Sequence, residues 1–291
     1  MAFRKSAELL KQSFCVLKQD KQLLIFPLLS SIACLAVLVS FATPIIAYCV
    51  AQGVAKNYGK EELATSFRWL GLVVSFLFYF VNYTVIVYFN TALASCAMQR
   101  FDGKSPTVAS GLGAATSLLP QILAWSLLSA TVGTILKFIG EKVGIVGNIV
   151  TALIGAGWTI ATYFVVPILV VERVGPFNAV KRSVSVLSKT WGTALVSNVG
   201  LGLINFLLFI ACIVPVAIGL ALSISMNHWI PVAVGGVLTF VFIVLWSLIT
   251  SAMQIVLMAA LYRFASDGIA PAGFVDADLR AAFAAKKSPA K

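Results

Sequence analysis

"WLGLVVSFLFYFVNYTVIVYFNTALASCAM" (residues 69–98) runs for thirty residues without a charged side chain. About twenty such residues cross the ~30 Å hydrocarbon core of a bilayer as a helix. In lipid, no water satisfies the backbone, so a crossing segment must bond internally and is read as helical. A transmembrane β-barrel would instead alternate polar and apolar residues over segments of ~10, and no such pattern is present. Five further apolar runs occur at Leu23–Val50, Leu118–Phe138, Val143–Val171, Thr193–Ile224 and Trp229–Leu261. With 60% apolar and only 11% charged residues in 291, the chain carries less than half the charge of a soluble domain, for which about a quarter is usual. The fold class expected is all-α: a polytopic membrane protein of six transmembrane helices, with amphipathic helices at the interface.

The net charge of +11 is informative through its location. Lys and Arg collect in cytoplasmic loops. Sixteen of the 21 basic residues fall in the N-terminal segment, the second and fourth connections and the C-terminal tail, against five elsewhere. Both termini are therefore expected to be cytoplasmic. More than twenty mixed residues precede Leu23, unlike a signal peptide with its short basic start and ~7–15-residue apolar core. The first span is thus expected to be retained. Basic residues beside spans attract anionic headgroups at about 1 kcal/mol each. The candidates are Lys11, Lys18, Arg100, Arg173, Lys181, Arg182, Lys189 and Arg263. The expected partners are membrane lipids. No nucleic-acid partner is expected, because no aromatic-basic platform is present. Oligomeric state is not legible.

"KQSFCVL" (11–17) matches "KRSVSVL" (181–187) at four positions, offset by 170. Both have apolar residues at helical spacing. Phe177, Val180, Val184, Leu187 and Trp191 fall within about 80° of a helical wheel, with Lys181, Ser185, Ser188 and Lys189 on another arc. Such a helix lies flat on the membrane with its apolar face in the acyl boundary. Val108, Leu112, Ala115 and Leu119 give a weaker third copy beginning at Pro106, and Val275, Leu279 and Phe283 hint at a fourth. Each of the first three copies is followed by two spans, and the fourth has no hairpin. The second span of each pair ends alike, at "RFDGKSP" (100–106), "RVGP" (173–176) and "RFASDGIAP" (263–271). Arg complements the helix C-terminus, Gly terminates it and Pro opens the next helix. A single membrane domain of three units is expected, at about 3–103, 104–175 and 176–268, with a tail at 269–291.

Chemistry is sparse. No carboxylate lies near a span centre, where ionisable groups usually mark function. His228, the sole histidine, has no acidic or cysteine neighbour with which to form a metal site or triad. Cys15, Cys34, Cys49, Cys96 and Cys212 show no ligand or redox spacing and are read as buried small apolar residues. No cofactor and no catalytic residue are expected. Among the span amides, Asn82, Asn90, Asn198 and Asn205 are candidates to line a polar cavity, or else bond between helices. Gly155, Gly157, Gly200 and Gly202 are read as close helix contacts. Pro44, Pro167 and Pro215 should kink their spans.

"YFNTALASCAMQRFDGKSPTVASGL" (88–112) and "VPILVVERVGPFNAVKRSVSVLSKTWG" (166–192) resemble a widespread prokaryotic family of integral membrane proteins of unknown function. The resemblance implies a six-helix inner-membrane protein and brings no catalytic residues. "AVKRSVSVL" (179–187) is more distantly similar to membrane domains associated with glycerophosphodiester phosphodiesterases. It implies no activity, since the soluble barrel with its acidic and histidine residues is absent. The functional expectation is a non-enzymatic, structural or lipid-interacting membrane protein. The alternatives are a transporter or channel for a small neutral or anionic solute, and an assembly factor for a membrane complex.

Overall fold

The computed structural model describes residues 2–57, 61–189, 213–226 and 228–283, with side chains at 8–51, 53, 69–140, 147–188, 213–226 and 228–280. Among these residues the chain is built of helices and has no strand. Helix α1 (Ala2–Gln19) leads through a 3-10 turn (Lys21–Leu24) into α2 (Ile25–Asn57) and α3 (Glu61–Phe101). Then come α4 (Val108–Ser117), α5 (Leu119–Ala161), α6 (Val165–Glu172) and α7 (Pro176–Lys189). Helix α8 (Ile213–Ser225) precedes α9 (Ile230–Asp267) and α10 (Asp276–Phe283).

Five segments are long and apolar enough to cross a membrane: Lys21–Ala51, Trp69–Phe101, Leu119–Gly140, Gly147–Glu172 and Ile230–Asp267. The chain is accordingly a multi-pass membrane protein. Most of the sixth expected span, Thr193–Ile224, lies outside the described residues; its described end is the apolar helix α8. Large apolar side chains point outward along these segments, among them Leu35, Val39, Ile46, Leu153, Val237 and Phe240. Contiguous apolar surface on this scale is a liability in water and an asset in lipid.

The helices contact one another within two compact units, residues 25–96 with 106–185 and residues 1–24 with 97–105 and 186–291. In the first unit α2 and α3 form a hairpin. Phe41 meets Phe78 edge-on at 5.7 Å, and the Tyr48 ring lies so close over Gly71 that a Cβ there would clash with it. The helical segment α5 doubles back on itself. Trp125 stacks on Trp158 at 5.9 Å, and Leu136 reaches Gly155. A straight helix would hold those tryptophans about 50 Å apart at ~1.5 Å per residue, so the chain reverses between Gly140 and Thr151, which meet across the turn.

The fourth expected span is not one continuous helix. It breaks at Thr162–Phe164, between α5 and α6. Pro167 lacks an N–H, and its ring crowds the carbonyl four residues earlier, which is that of Tyr163. The break exposes backbone donors inside an apolar region, where each costs free energy if unmet. Ser183 on α7 answers one of them, its buried hydroxyl accepting from the Phe164 N–H at 3.1 Å. Pro44, by contrast, lies inside an unbroken α2.

In the second unit, α1 packs against α9 and α10. Its buried face is Leu9, Leu10, Ser13, Val16 and Leu17. It meets a long buried face of α9 that includes Ile255, Val256, Ala259, Ala260 and Tyr262. Phe101 and Phe274 pack edge-to-face at 5.9 Å. Gln12 anchors α10: its Oε1 accepts from the Val275 N–H at 3.1 Å, and its Nε2 donates to Asp278 at 2.6 Å.

Helices α8 and α9 touch backbone to backbone. A Cβ on Gly219 would fall 2.5 Å from the Pro231 carbonyl oxygen, and one on Gly235 would fall 2.5 Å from that of Pro215. The expected close contacts at Gly200 and Gly202 lie outside the described residues. Among the described residues nothing lies within 4 Å of a Cβ position on Gly157.

Helix ends differ from expectation in three places, one of them Pro271, which does not open α10 because that helix begins at Asp276. Thr107, not Pro106, begins α4, because its hydroxyl accepts from Ser110 N–H in a reciprocal capping box. The left-handed residue ending α6 is Arg173, at φ 52°, and not Gly175. Gly103 and Gly268 do take positive φ, at 76° and 71°.

Candidate functional site

The basic residues divide by what they touch. Arg182 donates to Glu172 at 2.7 Å, Arg100 to the Gln19 side-chain oxygen at 3.1 Å, and Arg263 to Asp102 at 2.9 Å. Arg263 also pairs with Asp267 one turn along α9. These three tie the ends of helices to neighbouring segments of their own unit. Lys11 lies 3.7 Å from Glu8, both exposed, a pair of the kind worth little in water. Lys18, Arg173 and Lys181 are exposed. The side chain of Lys189 lies outside the described residues.

The helices carrying these lysines share a pattern of burial. On α1 the buried set includes Leu9, Ser13, Val16 and Leu17; on α7 it is Ala179, Ser183, Val186 and Leu187. Every one of these four pairs is related by the offset of 170 found in the sequence. Opposite the buried stripe, Phe14 is 45% exposed, Phe177 69% and Val184 46%. The wheel put Phe177, Val180, Val184, Leu187 and Trp191 on one arc, without Ala179 and Val186. The structure divides them between a stripe against protein, with a serine at its centre, and apolar side chains that remain uncovered. Small Ala179 and Ser183 allow the close packing, which the wheel could not register because it weighs polarity and not size.

The amides fall apart as a group. Asn82 and Asn90 are half-buried on α3, while Asn198 and Asn205 lie outside the described residues. Asn82 Oδ1, Gln121 Oε1 and the Ser126 hydroxyl are buried without a hydrogen-bond partner among the described residues. Each such group carries a desolvation cost of about 1–3 kcal/mol. Gln254 and Asn148 are exposed.

A cavity of about 660 Å³ opens between α2, α3 and α5, lined by Tyr48, Tyr79, Tyr83, Ser129, Gly133 and Lys137 among others. Neither Asn82 nor Asn90 lines it. Tyr83 packs against Trp125 and Ser129. The walls mix tyrosines, serines, a threonine and glycines with apolar Leu72, Phe76, Ala130 and Phe138 and one lysine, types that attract no notice in a scan for ionisable clusters. Only the pairing of α3 with α5 brings them together. Cys96 is buried and Cys34 half-buried, whereas Cys15 and Cys49 are exposed thiols; the last two are not the buried residues expected. Among the described residues, no three His, Cys, Asp or Glu side chains converge to hold a metal.

A family model of unknown function matches residues 69–274, well over half of the chain. The chain belongs to this family, DUF6159. The DUF6159 match opens at Trp69, the first residue of the charge-free stretch within α3, and closes at Phe274, which packs on Phe101. It takes in α7, the α5–α6 break and the α3 and α5 walls of the cavity, and leaves out α1 and α2. No curated protein matches the chain.

Proposed function

We propose that this protein is a non-enzymatic, lipid-interacting component of a bacterial inner membrane that binds anionic headgroups through surface helices. The carrying observation is the split surface of α7. Ala179, Ser183, Val186 and Leu187 are buried, while apolar Phe177 and Val184 stay exposed on the same helix as exposed Lys181. An apolar side chain next to a solvated ammonium suits one environment, the boundary between acyl chains and phosphates. Helix α1 repeats the arrangement with Phe14, Lys11 and Lys18.

In this reading the chain has six spans in three units of interfacial helix plus hairpin. The close pairs Phe41–Phe78, Trp125–Trp158 and Gly219–Pro231 support one hairpin per unit. The bias of Lys and Arg supports cytoplasmic termini. Lys181 and Arg173 belong to the binding surface, whereas Arg182 serves the fold through Glu172. The test is native mass spectrometry of protein purified with bound lipid. Lys181→Ser together with Arg173→Ser should lower retention of phosphatidylglycerol or cardiolipin while the protein stays folded. Arg182→Ser should lower thermal stability. Unchanged lipid in the double variant would overturn the proposal.

A further inference from the structure

The cavity between α2, α3 and α5 has a direction. Helices α3 and α5 run antiparallel there: Tyr88 hydrogen-bonds Thr116 just ahead of α5, and Tyr83 packs against Ser129 within it. One end of the cavity is therefore marked by Tyr83 and Ser129. The other is marked by Gly71 on α3 and by Lys137 and Phe138 on α5. At ~1.5 Å per residue, Gly71 lies about 18 Å from Tyr83 along its helix, and Lys137 about 12 Å from Ser129. That depth is close to one leaflet, half of the ~30 Å core.

Lys137 stands three residues from the end of the span Leu119–Gly140, within reach of the headgroup level by snorkelling. Below it the walls are apolar at Leu72, Phe76 and Ala130. Gly133 leaves open space, with nothing within 4 Å of a Cβ position. The volume of about 660 Å³ falls inside the ~300–1,000 Å³ usual for ligand pockets.

We propose that this cavity binds an anionic phospholipid of the surrounding bilayer, with one acyl chain lying along the α3–α5 walls toward Tyr83 and the phosphate at Lys137. A cation at one end selects for negative charge, and a shaft one leaflet deep, apolar along Leu72, Phe76 and Ala130 and edged by tyrosine rings, accepts a chain without lifting the lipid from its layer. The site rests on the membrane reading of the chain but uses none of the basic residues of α1 and α7.

The experiment uses the full chain in phosphatidylcholine nanodiscs titrated with phosphatidylglycerol brominated near the end of its acyl chains. Tryptophan fluorescence is the signal. Trp125 lies against Tyr83 at the deep end, so its share is the quenching lost in Trp125→Phe. That share should saturate with phosphatidylglycerol. It should vanish in Gly133→Leu, where the new side chain occupies the shaft. In Lys137→Gln it should need roughly five- to tenfold more lipid, the ratio for one interfacial charge contact. Lys181→Ser should leave it unchanged, which separates failure of this site from failure of the surface helices. Equal quenching by brominated phosphatidylcholine would overturn the proposal, as would normal quenching in both Gly133→Leu and Lys137→Gln. Displacement of the lipid by millimolar inorganic phosphate would overturn it too, in favour of a soluble-anion site. Should Gly133→Leu fail to fold, Lys137→Gln decides alone.

Discussion

Arg173 holds a left-handed conformation, φ 52° and ψ 32°, at the end of α6. For a residue with a Cβ this costs about 1–2 kcal/mol relative to ordinary helix, and glycine avoids the cost. Glycine stands two positions later, where no positive φ is found. A strained backbone at an exposed arginine is the pattern expected when the side chain, and not the fold, fixes the residue type. Arg173→Gly should accordingly raise the thermal stability of the detergent-solubilised protein, by ~1 kcal/mol, while reducing retained anionic lipid. Lower stability in that variant would show that the arginine is structural. Ser183 illustrates the opposite case. It reads in sequence as a polar residue of a surface helix, yet it is fully buried and accepts a backbone hydrogen bond at the α5–α6 break.

At the level of elements, α8 and α9 meet through a motif that sequence reading passed over. "PVAIG" (215–219) and "PVAVG" (231–235) differ in one residue. Each proline carbonyl sits over the glycine of the other copy, at 2.5 Å from where a Cβ would be. Two antiparallel helices with the same five residues make a crossing with local twofold character, and small residues let the backbones approach. Gly235→Val should force the helices apart and destabilise the protein by ~1–3 kcal/mol, as overpacking does. A matched Gly236→Val should cost less, because Gly236 has nothing within 4 Å of a Cβ position. Thermal unfolding in detergent compares the two. The signal was present as a repeated pentapeptide, but neither helical periodicity nor charge registers it. Recognising it needed the expectation that five residues can be a contact surface by themselves.

At the level of the whole molecule, Cys15 and Cys49 are exposed free thiols near opposite ends of the first span. With cytoplasmic termini, a membrane-impermeant maleimide applied to intact cells should label a variant keeping only Cys49. A variant keeping only Cys15 should react only after permeabilisation, and the reverse pattern would invert the orientation. What the sequence determined alone was the solvent of this protein and the class of its elements. Charge-free runs longer than a bilayer is thick admit only lipid-embedded helices, because each element satisfies its own backbone. The 170-residue offset likewise gave the correspondence of α1 with α7, since the same buried stripe recurs in both. Tertiary structure decided which side chains act together. The division of the arginines into fold and surface turns on whether a carboxylate or amide from a distant segment comes near, as Glu172 does for Arg182 and Asp102 for Arg263. The cavity beside Lys137 exists only where three helices leave space between them. Spacing along one helix fixes which residues share a face. It carries no information about which other face arrives to meet it, and a binding site is made by that meeting.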